Sequence, residues 1–286
     1  MTPAQEFAAL RGLTPTGAVT YMQRRYQLTK TFSWKDLWED EHAQQFTVSR
    51  LARLDLLQGV LEQITTSVNG DMGRRDFMRD AEQLLARAGW WGEKTVIDAT
   101  DGQPVTTTFD PPRLKLIFDT NTRGAYAAGQ WDNIQRAKKT HPYLRYVTQG
   151  DEHVRLAHRA WANVTLPVDH AFWQTHYPPN GWRCRCRVRA LSQRDVDRGT
   201  APGGARLKTA EPDVEWRSWV DDRTGQVREV PIGIDPGFGY NVGIAAARAR
   251  ELQDQVASKL AKASPPLADA ARRAGLERPK GEGGGQ

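Results

Sequence analysis

Cysteine is nearly absent from this chain, and so are long apolar runs. Its 286 residues hold two cysteines, Cys184 and Cys186, separated by a single residue. A disulfide framework is thereby excluded. Residues i and i+2 of an extended strand lie about 6.6–6.8 Å apart, at the upper limit for a disulfide. The pair is therefore expected as reduced thiols in a cytosol, free or on a metal. No stretch approaches the roughly 18 apolar residues of a membrane span, and the start Met-Thr-Pro-Ala-Gln-Glu lacks the order of a secretion signal. The patterns H-E-x-x-H, G-x-S-x-G and G-x-x-x-x-G-K-[ST] are missing too. A zinc deaminase needs H-x-E and P-C-x-x-C, where this chain reads His158-Arg159-Ala160 and Arg183-Cys184-Arg185-Cys186.

What is present suits a polar globular protein of one large or two ordinary domains. Hydrophobic residues make up 39% and the mean hydropathy is -0.65, with length enough to bury a core. The net charge of +6 points to an acidic partner, either nucleic acid or an acidic protein surface.

Residues 1–32 read as a loose arm with a short helix near Val19 to Gln27. A helical subdomain is expected over 33–92. Ser33-Trp34-Lys35-Asp36 has the form of a capping box, which puts Trp34, Leu37 and Trp38 on one face of a short helix. Thr47 is the expected cap of a helix whose stripe is Leu57, Val60, Leu61, Ile64 and Val68, ended by Asn69-Gly70. Phe77, Ala81, Leu84, Leu85 and Ala88 form the stripe of a third helix. A mixed core domain, 93–197, starts with a hairpin about Asp101-Gly102. A helix from Arg113 to about Lys139 follows, weakened by Gly124 and Gly129, and then a strand from Pro142 to Thr148. Residues 198–263 carry a Gly/Pro linker, a second hairpin (Val214 to Val220, Gln226 to Val230) and a helix near Ile244 to Ala263. The tail, 264–286, is expected to be disordered. The fold class is α+β.

The densest chemistry lies in Pro178-Pro179-Asn180-Gly181-Trp182-Arg183-Cys184-Arg185-Cys186-Arg187-Val188-Arg189. After the turn, a strand would place Arg183, Arg185, Arg187 and Arg189 on one face and the two thiols, Val188 and Ala190 on the other. The arginines suit phosphates, a partner protein or plain solvation. The thiols suit a small apolar interior or, with an imidazole, a metal.

This stretch, with Asp151-Glu152-x-Val154-Arg155-x-x-His158 and Asp169-x-x-Phe172-Trp173 ahead of it, resembles the signature of the phage Mu F-like minor head proteins. Phe46-Thr47-Val48, Gly89-Trp90-Trp91-Gly92, Arg113-Leu114-x-x-Ile117-Phe118-x-Thr120-Asn121 and Gly237-Phe238-Gly239-Tyr240-Asn241 extend the resemblance from about Ser33 to Gly243. It implies a head morphogenesis protein of a phage or prophage, found in procapsids and, during assembly, in the bacterial host cytoplasm. The partners implied are portal, major capsid or scaffold protein, and double-stranded DNA.

A neighbouring branch of the family shows Val-Cys-x-x-Cys where this chain has Val154-Arg155-x-x-His158. The resemblance therefore implies a structural zinc on His158, Cys184 and Cys186, with Asp169, His170, His176 or His153 as the fourth donor. Two buried thiols beside a hydrogen-bonded histidine is the alternative, and no catalytic residue is assigned. A zinc-dependent DNA-processing enzyme or nuclease is the rival function.

Overall fold

The helical periodicities of the first half become three helices packed on a longer fourth. In the computed structural model, which describes residues 15–98 and 102–273, these are α1 (Thr16–Arg24), α2 (Leu54–Asn69), α3 (Arg74–Arg87) and α4 (Pro111–Ala137). The stripe of α2 is buried at Leu57, Val60, Leu61, Ile64 and Val68. Each such side chain contributes about 1.5–3 kcal/mol when withdrawn from water. Gly70, at φ 100°, ends α2 in the left-handed region, where a residue without Cβ is unstrained.

Thr47 does not cap α2. Its hydroxyl pairs with Thr31 Oγ1 at 2.7 Å in the interior, and α2 starts seven residues later, at Leu54. The intervening chain is occupied by a turn in which Arg50 N–H donates to Thr31 O and Leu51 N–H to Val48 O. The capping box at Ser33 is present: Asp36 Oδ2 accepts from Ser33 N–H at 3.0 Å. It closes only a short 3-10 turn, Trp34–Asp36, so Trp34 and Trp38 separate. Trp34 stacks on His42 and Trp38 on Trp219.

Strands β1 (Gln27–Leu28) and β2 (Gln45–Phe46) make a short parallel pair. The first hairpin joins β3 (Gly92–Ile97) to β4 (Pro104–Phe109); Asp101 of its expected turn lies outside the described residues. Asp110 then caps α4 by accepting from Arg113 N–H, with Pro111 and Pro112 at the first helical positions, where a missing N–H costs nothing. The helix runs unbroken through both of its doubtful glycines. Gly129 is there because α1 crosses on top of it: a Cβ would stand 2.6 Å from Ala18 N, whereas a Cβ on Gly124 would meet nothing within 4 Å.

Beyond α4 lies a three-stranded antiparallel sheet in the order β6-β5-β7. It is built from β5 (Tyr143–Val147), β6 (Thr165–Pro167) and β7 (Arg187–Leu191). Short helices α5 (Leu156–Ala160) and α6 (Phe172–Thr175) fill its connections, and α7 (Gln193–Asp197) follows β7. The second hairpin, β8 (Trp216–Val220) and β9 (Val227–Pro231), leads through the Gly237–Asn241 turn into α8 (Val242–Leu260). Asn241 caps α8 by accepting from Gly243 and Ile244 N–H. The tail expected to be disordered from Ser264 carries a further helix, α9 (Pro265–Arg273); residues 274–286 lie outside the described set.

One contiguous buried cluster runs from Ala18 on α1 through α2, α3, α4 and the sheet to Ala249 on α8. The mixed α+β class is as expected. Among the described residues no helix is long and apolar enough to cross a membrane.

The two glycines of α4 make a matched test. Gly129→Ala should lose about 1–3 kcal/mol of unfolding free energy by overpacking against α1, while Gly124→Ala should gain about 0.5–1 kcal/mol. Urea titrations of the two variants check both signs, and a neutral Gly129→Ala would show that α1 does not seat on α4.

Candidate metal centre

Two segments separated by 26 residues in sequence meet behind β5. His158 comes from α5, a helix barely more than one turn long, and its side chain is buried. Cys184 and Cys186 come from the extended approach to β7. The strand itself starts only at Arg187, because Trp182 and Arg183 form a turn in which Arg183 takes φ 60°. The alternation still holds at the thiols, since Cys184 is buried and Cys186 half-buried.

The tautomer of His158 follows from its neighbours. Nε2 lies 3.0 Å from the carbonyl oxygen of Gly233, which can only accept, so the ring proton is on Nε2. Nδ1 therefore presents its lone pair, and it does so toward both sulfurs, 3.8 Å from Cys184 Sγ and 3.6 Å from Cys186 Sγ. All three donor atoms lie within 4.8 Å of one another. A tetrahedral zinc with Zn–S of about 2.3 Å and Zn–N of about 2.0–2.1 Å sets nitrogen and sulfur about 3.6 Å apart. A backbone carbonyl holding the far nitrogen is the usual outer support of a ligating histidine. The donor set therefore fits zinc in identity, spacing and tautomer.

The thiols also act on each other. The hydrogen bond from Cys186 holds Cys184 below the ordinary thiol range. That thiolate, together with burial, pushes Cys186 up. Tyr146, pushed well above its ordinary value chiefly by burial and then by the two cysteines, donates its hydroxyl to Asn180 Oδ1 at 2.9 Å.

Around the trio the backbone is fastened by charge. Arg155 reaches Asp235 with two nitrogens, at 3.0 and 2.9 Å, and donates to Trp182 O at 3.0 Å. Asp235 Oδ2 also accepts from Trp182 N–H at 2.8 Å. Gly181 passes so close beneath this pair that a Cβ would collide with both Arg155 and Asp235. Gly233, at φ 93°, lies against Ala157 and Trp161, where a Cβ would collide likewise. Arg155 thus occupies a would-be ligand position as a structural clamp.

None of the four named fourth donors joins the trio. Asp169 pairs with Lys138 and His170 with Glu211: both follow β6 and face outward at its end. His176 hydrogen-bonds Thr175 and stacks on Phe172, and burial lowers its pKa to about 4. His153 sits on the wall of a cleft of about 630 Å³ that opens onto both cysteines and His158. The opposite wall is α4, through Lys115, Asp119 and Arg123. Among the described residues no fourth histidine, cysteine or carboxylate joins the cluster.

The four arginines of the motif do not act as one face. Arg185 makes two hydrogen bonds to Asp151, both 2.7 Å, and holds that carboxyl below the usual carboxylate range. Arg183 is exposed in its turn, and Arg187 and Arg189 are exposed on β7.

The trio falls inside the part of the chain recognised by comparison. The profile described as Phage Mu protein F like protein matches residues 59–189. That stretch belongs to the Mu F-like family. The chain is also 34% identical over 248 residues to the putative capsid assembly protein F of Escherichia phage Mu, covering 82% of this chain and 55% of the relative. It is 29% identical over 229 residues to the Mu-like prophage FluMu F protein of Haemophilus influenzae, covering 76% and 53% respectively. The chain thus spans about half the length of these Mu F-like relatives. No solved structure matches it.

The sequence reading missed Gly233 and Asp235, which hold the site from 75 and 80 residues away. It also missed Arg123, which donates to Cys184 O. The i, i+4 series Lys115, Asp119, Arg123 on α4 was the available signal for the last.

Asp235→Ala removes three charge-assisted hydrogen bonds and strands Trp182 N–H, and it should cost about 2–3 kcal/mol. Arg155→Met should cost less, because Asp235 keeps Trp182 N–H. Urea denaturation of the pair checks the order, and a loss for Asp235→Ala below about 0.5 kcal/mol would show that the clamp does not hold the loop.

Proposed function

We propose that this chain is a head-assembly protein of a phage or prophage, acting in the procapsid by binding portal, major capsid or scaffold protein near the packaged DNA. The observation that carries this reading is the 34% identity to a protein named for capsid assembly, spread over 82% of the chain. In this reading the function is structural. His158, Cys184 and Cys186 hold one zinc that fastens α5 to the approach of β7, and the fourth position is left to a donor from the cleft. The binding free energy of a structural zinc adds directly to that of folding. The resulting module presents β7 and the cleft wall to other head components, and its place is the virion and, before that, the host cytoplasm.

One feature favours a second reading. Three protein donors with the remaining position open to a cleft is also the composition of catalytic zinc, so a zinc-dependent nuclease acting during packaging is the alternative. Its discriminating sign is turnover of DNA that Cys184→Ser abolishes without loss of fold.

Co-expression with the portal and major capsid proteins of its own gene neighbourhood tests the first reading. The chain should sediment with assembled heads, and exclusion from heads that otherwise form would overturn it. Elemental analysis after gentle purification should find about one zinc per chain, lost in His158→Gln and Cys186→Ser. Metal well under one per chain in the unaltered protein would rule out the clamp.

A further inference from the structure

The sheet carries a second polar site, on the face turned away from the zinc donors. In the β5–β7 register Arg145 stands directly opposite Arg189, and Val147 opposite Arg187. Arg145, Arg187 and Arg189 therefore share one face. Like charges directly opposite one another on an antiparallel pair are destabilising. Here the inner member is also withdrawn from water: Arg145 is 7% exposed, in the middle strand, between Arg189 and Thr165. Its Nε and Nη1 are buried with no hydrogen-bond partner.

Nothing nearby compensates. Among the described residues, Arg185, Arg155 and Arg123 each pair with a carboxylate, of Asp151, Asp235 and Asp119 respectively. Arg145, Arg187 and Arg189 pair with none. A buried guanidinium without a counter-charge is strongly disfavoured, and donors left without acceptors add to the cost. Burial first, and then Arg189 and Arg187, lower the pKa of Arg145, although arginine remains charged at any physiological pH. Among the described residues no carboxylate supplies the counter-charge of this group.

We propose that Arg145, Arg187 and Arg189 form a binding site for a phosphate-class anion, with Arg145 as its floor and the two exposed arginines as its rim. Three guanidinium groups exceed what one carboxylate would neutralise. The rim residues repeat at the i, i+2 spacing of a strand, about 6.6–6.8 Å, which suits anions arriving in series along a phosphodiester backbone. Such contacts neutralise charge without reading sequence. The site rests on charge and burial alone and stands independently of the head-assembly and zinc readings.

The test uses the whole chain, with inorganic phosphate and a labelled DNA duplex as probes. At matched ionic strength, phosphate should raise the Tm of the unaltered protein over chloride by about 2–4 °C. Arg145→Met should match or exceed the unaltered protein in chloride, since it removes the uncompensated charge, and should not respond to phosphate. Arg187→Gln/Arg189→Gln, altered only at exposed positions, should still fold. It should flatten the dependence of log K for the duplex on log salt by about 0.9 per arginine. A phosphate response without duplex binding supports the site and assigns it to free phosphate. Equal Tm in phosphate and chloride, with duplex binding unchanged in the double variant, overturns the proposal. So does stabilisation by polyglutamate but not by phosphate, which would assign the face to an acidic protein.

Discussion

The carboxylate of Asp235 is the contact on which the convergence of His158, Cys184 and Cys186 depends. It binds Arg155 at the entrance to α5 and the backbone N–H of Trp182 at the entrance to the cysteines. Two residues earlier, the carbonyl of Gly233 sets the proton of His158. A single crossing segment between β9 and α8 therefore controls both the position and the protonation pattern of the trio. Without it the two thiols and the imidazole would belong to separate loops, and a loop of their 26-residue separation carries a closure cost on the order of 3 kcal/mol.

The same arrangement explains how Arg155 ties the two segments together without being a metal donor. A four-thiolate site closes a loop through the metal alone. Here the second tie is an ion pair with two parallel hydrogen bonds, which supplies geometric specificity as well as energy. The consequence is asymmetry: three donors on the protein side, and a cleft on the other. The fold thus leaves the three candidate donors accessible from a cleft lined by α4 and the loop before α5. On the cleft wall Asp119 pairs with both Lys115 and Arg123, which leaves Arg183 as an exposed cation there.

Much of this was legible in the sequence where the determinant is local. The stripes of α2 and α3, the hairpin strands β8 and β9, and the alternation Cys184, Cys186, Val188 all reappear, because period and turn chemistry are short-range properties. The convergence of His158 with the two thiols was legible only through the family resemblance. Thr47 failed as a cap because its hydroxyl found a buried partner, Thr31, and tertiary pairing outranks a local preference. Asp169 and His170 failed as donors because proximity in sequence to α6 says nothing about which way the end of β6 faces. Asp235 and Gly233 were invisible for a similar reason: a carboxylate and a carbonyl 75 to 80 residues away leave no periodic trace near the motif.

The arginines show most plainly how a pattern misleads when only one strand is considered. Alternation along the motif grouped four guanidinium groups, yet one of them is neutralised by Asp151 and another sits in a turn. The group that the sheet assembles takes its deepest member from β5, where Arg145 lies between Leu144 and Tyr146 in a segment that reads as an ordinary half-buried strand. An arginine at such a position carries a desolvation cost that a counter-charge would offset. In the proposed phosphate site, the bound anion supplies that charge from the solvent side of β7.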